Sequence, residues 1–254
     1  MDLSFPFDPI QRSALSESMV MKGESRLYSK FRAAPYYGGI ATADAVGCSF
    51  LCAYCWNYGR NLNPSRFGRF YSPEEIASIL LSIARKRFFH QFRITGSEPV
   101  LGDASFHHLL KVLEIIFRKN PDAVFILETN GLALGFRKDL TPPLKFKNLQ
   151  VRIAIKGIDE VSFEKITGAK KEYFRYPFLA LQELENQGIN TWPAVMEELF
   201  TKEEIRKLRK LLKEFNIQAP LEEETLEPYP FVLENMKRRN LEIKRNLNKL
   251  FTTS

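Results

Sequence analysis

All three cysteines of this 254-residue chain, Cys48, Cys52 and Cys55, fall within eight consecutive positions. Thiols so few and so close cannot staple distant segments together, so the fold has to rest on a hydrophobic core and not on a disulfide framework. In a reducing compartment such a group reads instead as thiolate ligands gathered by a metal or a metal cluster. The chain has the means to build a core. Hydrophobic residues make up 44% and charged residues 26%, the balance of an ordinary soluble globular domain, which sets aside disordered, collagen-like and coiled-coil readings. At roughly 150 residues per domain the length suits one large domain or two small ones.

Several partner classes are narrowed by charge. The longest stretch without a formal charge, Ala45 to Gly59, is 15 residues, short of the roughly 18 apolar residues of a membrane helix. The opening residues, MDLSFPFDPIQRS, lack the basic and then apolar order of a secretory signal, so the expected compartment is the cytoplasm, with no membrane partner. Net charge is 37 − 30 = +7, which makes a nucleic-acid partner possible without favouring it. The basic C-terminal residues Lys237, Arg238, Arg239, Lys244 and Arg245 have no interleaved aromatics to specify RNA.

Hydrophobic periodicity alternates between strand and helix along most of the chain. Gly39 to Val46 reads as a short strand running straight into Gly47 and the cysteine loop. Ser72-Pro73-Glu74-Glu75 is a capping box opening a helix of about four turns, with Ile76, Ile79, Leu80 and Ile83 at helical spacing. Phe89 to Thr95 reads as a buried strand, Asp103 as the cap of a helix carrying Leu109, Leu110, Leu113 and Ile116, and Ala123 to Leu127 as the next strand. After Pro142-Pro143 come a strand over Leu149 to Ile155, a helix through Phe178, Leu181 and Leu184 ending near Gly188, and a strand over Thr191 to Met196. Thr201 with Glu204 makes a second capping box before Ile205, Leu208, Leu211, Leu212 and Phe215; a sixth strand is expected around Ile217 and a last helix from Phe231.

Repeated βα units imply a parallel sheet with right-handed crossovers, here an α/β fold closing into a partial (β/α)6 barrel with its site at the strand C-termini. The expected organisation is an N-terminal extension over 1–34, a core domain over 35–230 and a C-terminal basic helix over 231–254 packed on it. The histidine pair His107-His108 opens a predicted helix and is not read as catalytic.

The cysteine spacing is CxxxCxxC, within Gly47-Cys48-Ser49-Phe50-Leu51-Cys52-Ala53-Tyr54-Cys55-Trp56-Asn57. Three thiolates this close can bind three irons of a cubane 4Fe-4S cluster, and the fourth iron is left open because no other cysteine exists. Phe50, Leu51, Tyr54 and Trp56 would shield such a cluster and lower the local dielectric. The alternative is a zinc site completed by a histidine, in a non-catalytic module that binds nucleic acid.

On this motif, with Tyr54 just before the third cysteine, the sequence resembles the radical S-adenosylmethionine superfamily. The resemblance implies one 4Fe-4S cluster on Cys48, Cys52 and Cys55. It also implies S-adenosylmethionine chelated to the open iron and reductive cleavage to a 5′-deoxyadenosyl radical that abstracts hydrogen from substrate. Thr95-Gly96-Ser97-Glu98-Pro99 is similar to the family's GGEP segment, with Ser97 in place of the second glycine, and implies contacts from Gly96, Ser97, Glu98 and Pro99 to the methionyl ammonium. Glu128-Thr129-Asn130-Gly131 resembles a TNG-type segment, which implies hydrogen bonds from Thr129 and Asn130 to the ribose and methionyl end. Lys156 matches the lysine of an aspartate-leucine-lysine that meets the methionyl carboxylate in glycyl-radical activating enzymes; the aspartate position is Ala154. The resemblance covers roughly Ala41 to Met196, including Ile166-Thr167-Gly168, and its size is that of a minimal, activating-enzyme-like member. An electron donor such as flavodoxin or ferredoxin is implied. The substrate is left open between a small molecule and a glycyl-radical partner protein, with an RNA-modifying enzyme as the alternative.

Overall fold

The computed structural model describes residues 4–245. Its elements run, in chain order, α1 (Pro9–Val20), β1 (Met21–Lys22), β2 (Ser25–Ala34), β3 (Ile40–Ala45), α2 (Tyr58–Leu62), β4 (Arg69–Tyr71), α3 (Pro73–Arg87), β5 (Gln91–Thr95), α4 (Asp103–Lys119) and β6 (Val124–Thr129). There follow α5 (Leu132–Phe136), β7 (Leu149–Ile155), α6 (Glu160–Thr167), α7 (Tyr176–Asn186), β8 (Asn190–Met196), α8 (Lys202–Glu214), β9 (Glu222–Glu224) and α9 (Pro230–Arg238).

One sheet carries all the strands, in the order β1-β2-β3-β5-β6-β7-β8-β9, with β4 paired to β2 off that path. From β3 to β9 every pairing is parallel, which is the six-stranded parallel half-barrel that the βα rhythm implied. Alternation sorts the faces. Phe92 and Ile94 on β5, Phe125 and Leu127 on β6, and Val151, Ile153 and Ile155 on β7 join the main core beneath the helices, each such side chain contributing about 1.5–3 kcal/mol by leaving water. The opposite face of the same strands presents Arg93, Thr95, Glu128, Arg152, Ala154 and Lys156 to a cavity. A small apolar cluster of Ala34, Ile40 and Ile126, with Tyr37, Val124 and Trp192 packed on it, forms separately from that main core.

Both capping boxes form as read: Ser72 Oγ accepts from Glu75 N–H at 3.2 Å while the Glu75 carboxylate accepts from Ser72 N–H at 2.7 Å, and Thr201 and Glu204 repeat the pattern. Asp103, by contrast, is the first residue of α4 and not its cap. The orphan Ser105 N–H is satisfied by the Glu17 carboxylate of α1 at 2.8 Å, a tertiary cap that no local pattern announces. The sixth strand is Glu222–Glu224 and not the segment around Ile217, which is a buried turn after α8. Three glutamates are poor strand formers; Arg152 holds Glu222 and Glu224, and Arg209 and Arg245 hold Glu223, so the strand forms on ion pairs.

Residues before Ala34 supply α1 and the strands β1 and β2, of which β2 runs antiparallel to β3. At the other end, α9 buries Val232 and Met236 in the main core; the part of the expected C-terminal helix over 246–254 lies outside the described residues. Among the described residues no helix is long and apolar enough to cross a membrane.

Candidate active site

A cavity of about 780 Å³ opens at the C-terminal ends of the parallel strands, and Cys48, Cys52 and Cys55 all line it. The loop that carries them leaves β3 through Gly47 and is fastened on both sides by main-chain hydrogen bonds. Leu51 N–H donates to Thr167 O at 3.0 Å and Ala53 N–H to Ile166 O at 2.9 Å, while Glu98 N–H donates to Gly47 O at 3.0 Å. Asn57 donates from its amide to the Gly96 carbonyl, and Ser97 Oγ to Asn61 Oδ1 at 2.7 Å. Gly96 sits at φ +84°, and a Cβ there would lie 3.0 Å from Asp44 Cβ and 3.3 Å from Asn57 Nδ2, so the turn after β5 needs glycine for both conformation and space.

The sulfurs are met by donors. Phe50 N–H points at Cys48 Sγ at 3.4 Å and Asn57 N–H at Cys55 Sγ at 3.3 Å, with the Asn61 and Asn130 side-chain amides at 3.8 and 3.9 Å from Cys55 and Cys48. Such N–H···S contacts favour sulfur that carries negative charge. Burial acts the other way, raising the thiol pKa of all three, of Cys55 to about 12; a positively charged metal centre is what makes thiolates of buried cysteines. Among the described residues no three His, Cys, Asp or Glu side chains converge to hold a single metal ion. Three sulfurs on one short loop are the donor type of an iron–sulfur cluster, in which each of three irons takes its own thiolate. The donor set fits a 4Fe-4S cluster on three cysteines.

Glu98 is buried, and its carboxylate is engaged on three sides. Oε1 accepts from Val100 N–H at 3.0 Å and Thr129 Oγ1 at 2.6 Å, and Oε2 from Asn130 N–H at 2.8 Å. Burial raises its pKa against the pull of these donors. Asn130 continues the chain of contacts by donating to Ser49 Oγ at 2.8 Å. Glu98 therefore ties the loop after β5 to the loop after β6, and Asn130 ties that loop to the cysteines. One acceptor site on Oε2 is left over. The Pro99 side chain is not among those lining the cavity; its carbonyl accepts from the buried Arg26 guanidinium.

Lys156 stands at the end of β7 with Nζ 5.3 Å from the centroid of the Tyr54 ring. Burial opposes its charge, but Tyr54, Glu224 and Cys52 outweigh burial and raise its pKa. The cavity lining also carries ion pairs that the sequence did not announce. Arg93 bonds Glu128 at 2.7 Å, Arg32 grips Asp44 at 3.0 and 3.1 Å, and Arg152 holds Glu222 at 2.9 and 3.0 Å and Glu224 at 2.6 Å. Arg93, within the strand expected over Phe89 to Thr95, faces the cavity and lies 4.8 Å over the Tyr36 ring. The one available signal was strand alternation, since Arg93 lies between Phe92 and Ile94 and must point the other way. Of the histidines, His107 is exposed and His108 is buried behind β2, bonded to Tyr28 Oη at 3.1 Å and Glu24 O at 2.8 Å, away from the cavity.

A parallel half-barrel with three cysteines on the loop after its first strand, facing glycine, glutamate and asparagine from the next two strand ends, defines a class of cofactor-dependent barrel. The family model of the radical SAM superfamily matches residues 44–212, two thirds of the chain, and the chain belongs to that superfamily. Among curated relatives, GTP 3′,8-cyclase of Nostoc sp. (strain PCC 7120) is 26% identical over 123 residues, 48% of this chain and 35% of that protein. The match thus spans about a third of the relative's length. Among solved structures, a spore photoproduct lyase variant with bound AdoMet and dinucleoside spore photoproduct superposes with a TM-score of 0.63 at 16% identity, over 87% of this chain and 66% of that one. SuiB of Streptococcus suis bound to S-adenosylmethionine gives 0.57 at 15% identity, over 77% and 44%. At these identities the structures show a common fold, the radical SAM partial barrel.

Proposed function

We propose that Cys48, Cys52 and Cys55 hold one 4Fe-4S cluster and that the chain is a radical S-adenosylmethionine enzyme. The observation that supports this most is the meeting of three cysteines with Glu98, Thr129, Asn130 and Lys156 in one cavity at the parallel strand ends. When bound, the cluster and S-adenosylmethionine supply a 5′-deoxyadenosyl radical that abstracts a hydrogen atom from substrate.

The residues around that chemistry bind, orient and exclude water. The methionyl ammonium is received by the loop Gly96-Ser97, with the free acceptor site of Glu98 Oε2 as its counter-charge. Lys156 faces the methionyl carboxylate, whose charge needs a cation in a cavity less polar than water. Thr129 and Asn130, fixed by Glu98 and Ser49, present hydrogen-bonding groups to the remainder of the cofactor. Tyr54 covers the cysteine loop beneath Lys156, and Phe50 and Leu51, both buried, keep water from the sulfurs. An electron donor such as flavodoxin or ferredoxin supplies the reducing electron, and the substrate is a small molecule or a glycyl-radical protein.

Anaerobic reconstitution tests the reading. We expect about four irons per chain, an electron-paramagnetic signal on reduction, and 5′-deoxyadenosine formed from S-adenosylmethionine under reducing conditions. One bound zinc and no iron would sink it.

A further inference from the structure

Two cations reach the cysteine loop from outside the segment that the family model matches, one from each end of the chain. Arg26 on β2 is fully buried; its guanidinium donates to Glu98 O at 2.5 Å and to Pro99 O, and Nε has no partner. Glu98, whose carbonyl it grips, donates its own N–H to Gly47 O, directly before Cys48. Arg239, just past α9, donates from NH1 to Ile166 O at 3.1 Å. That carbonyl also accepts Ala53 N–H, between Cys52 and Cys55. The Arg239 guanidinium lies 4.2 Å over Phe5 and 3.5 Å from Tyr58 Oη, and Tyr58 N–H in turn donates to Cys55 O. Among the described residues neither arginine has a carboxylate within ion-pair distance, although Glu98 lies within electrostatic reach of Arg26.

A fully buried guanidinium satisfied only by carbonyls is costly unless an anion shares its surroundings. Glu98 and Glu17 supply part of that negative charge for Arg26, and the proposed cluster would add to it: three thiolates outweigh the core's positive charge by one when oxidised and by two when reduced. Cations placed beside it favour the more negative, reduced state. Arg26 also offsets Glu98, whose charge opposes negative charge on Cys48.

We infer that Arg26 and Arg239 are electrostatic partners of the cluster that raise its reduction potential, so the N-terminal hairpin and the C-terminal helix tune the redox poise of a site whose ligands lie between them. The inference rests on the cluster reading above. One electron from an external low-potential donor adds to the cluster; no bond forms or breaks, and the arginines stay protonated throughout.

The test is a redox titration of the reconstituted full chain, followed by electron-paramagnetic resonance. In Arg26→Gln and Arg239→Gln we expect iron content as in the wild type and a reduced-to-oxidised ratio about tenfold lower at fixed potential, a midpoint about 59 mV lower for a one-electron couple. Arg26→Lys and Arg239→Lys should recover most of the shift, which a purely structural role would not show. Arg238→Gln, beyond the contacts of the loop, is the control and should leave the midpoint in place. Should Arg26→Gln fail to fold, Arg239→Gln carries the test, since that residue is half-buried at the end of a helix. A wild-type midpoint in either folded glutamine variant overturns the inference for that residue, and in both overturns it altogether. A wild-type protein that assembles no cluster overturns the cluster reading itself, a result distinguishable by iron analysis before any titration.

Discussion

The two walls of the cavity are built differently. The wall formed by the cysteine loop and the loops after β5 and β6 is cross-linked by main-chain groups and short side chains: Glu98 to Thr129 and Asn130, Asn130 to Ser49, Asn57 to Gly96, Ala53 to Ile166. The wall formed by the ends of β7, β8 and β9 is made of long charged side chains, with Arg152 between Glu222 and Glu224 and Lys156 over Tyr54. Short polar groups bonded to backbone have few rotamers to lose, whereas arginine and lysine must order long, rotamer-rich side chains. The first wall is a preformed cradle, suited to a cofactor that is the same in every turnover. The second is held by ion pairs, Arg152 with Glu222 and Glu224.

The largest expected effect is on the cradle's own ligands. Cys48→Ala, Cys52→Ala and Cys55→Ala should each abolish both the brown chromophore and cleavage of S-adenosylmethionine, measured by absorbance and by 5′-deoxyadenosine release. Any one of them retaining full cleavage would remove that cysteine from the ligand set.

Comparing Glu98 with Lys156 sharpens the contrast between the walls. Glu98→Ala strands three donors in a buried loop, so it should cost about 3 kcal/mol of folding stability and weaken binding of the cofactor as well, leaving iron content near normal after reconstitution. Lys156→Met touches the charged wall. Its thermal midpoint should stay near the wild type, while the dissociation constant for S-adenosylmethionine rises about tenfold to a hundredfold, the 1.4–3 kcal/mol of a charged hydrogen bond. Lys171→Met, an exposed change, should do neither. Calorimetric binding with parallel thermal melts decides it: equal binding in the Lys156 and Lys171 variants would make Lys156 a bystander, and an unchanged melt for Glu98→Ala would mean that the cradle is not held by that carboxylate.

How much of this could be read from the sequence follows from the same contrast. The cradle was legible because its parts are local: CxxxCxxC, Gly96 to Pro99, and Thr129-Asn130 each follow a strand whose helix-facing side is apolar, as in Phe92 and Ile94 or Phe125 and Leu127. The ionic wall was not. Arg93, Arg152, Glu222 and Glu224 face a cavity, so the strands that carry them lose apolar alternation on that side, and β9, with three glutamates, gives no strand signal at all. Lys156 was singled out by the family resemblance at a strand end, but Glu224, whose charge acts on it, comes from a strand that hydrophobic periodicity placed elsewhere. Nor did Arg26 signal its burial, because its partners are the carbonyls of Glu98 and Pro99 and not a carboxylate at a recognisable spacing. The N-terminal hairpin that carries it looks polar because Lys30 and Arg32 on β2 also line the cavity.

That hairpin underlies the cradle wall, and its attachment offers the smallest and most specific effect. His108 on α4 donates from Nδ1 to Glu24 O and accepts from Tyr28 Oη at Nε2, which fixes one neutral tautomer against the hairpin. Burial, with the nearby Arg26 charge, pushes its pKa down to about 4, although the Glu24 carbonyl and the Glu74 charge oppose the shift. Unfolded, the ring titrates near 6.5. Between these values the unfolded chain binds a proton that the folded chain does not, so stability rises with pH through this window and is lost as pH falls toward 4. The loss between pH 7 and pH 5 from this one group should be about 2 kcal/mol. In His108→Gln that part of the pH dependence should vanish, even if the variant is less stable at pH 7 for want of the Tyr28 contact. Urea midpoints at pH 5 and pH 7 for the two proteins test it, and an equal loss in both would show that His108 does not hold the hairpin as a neutral ring.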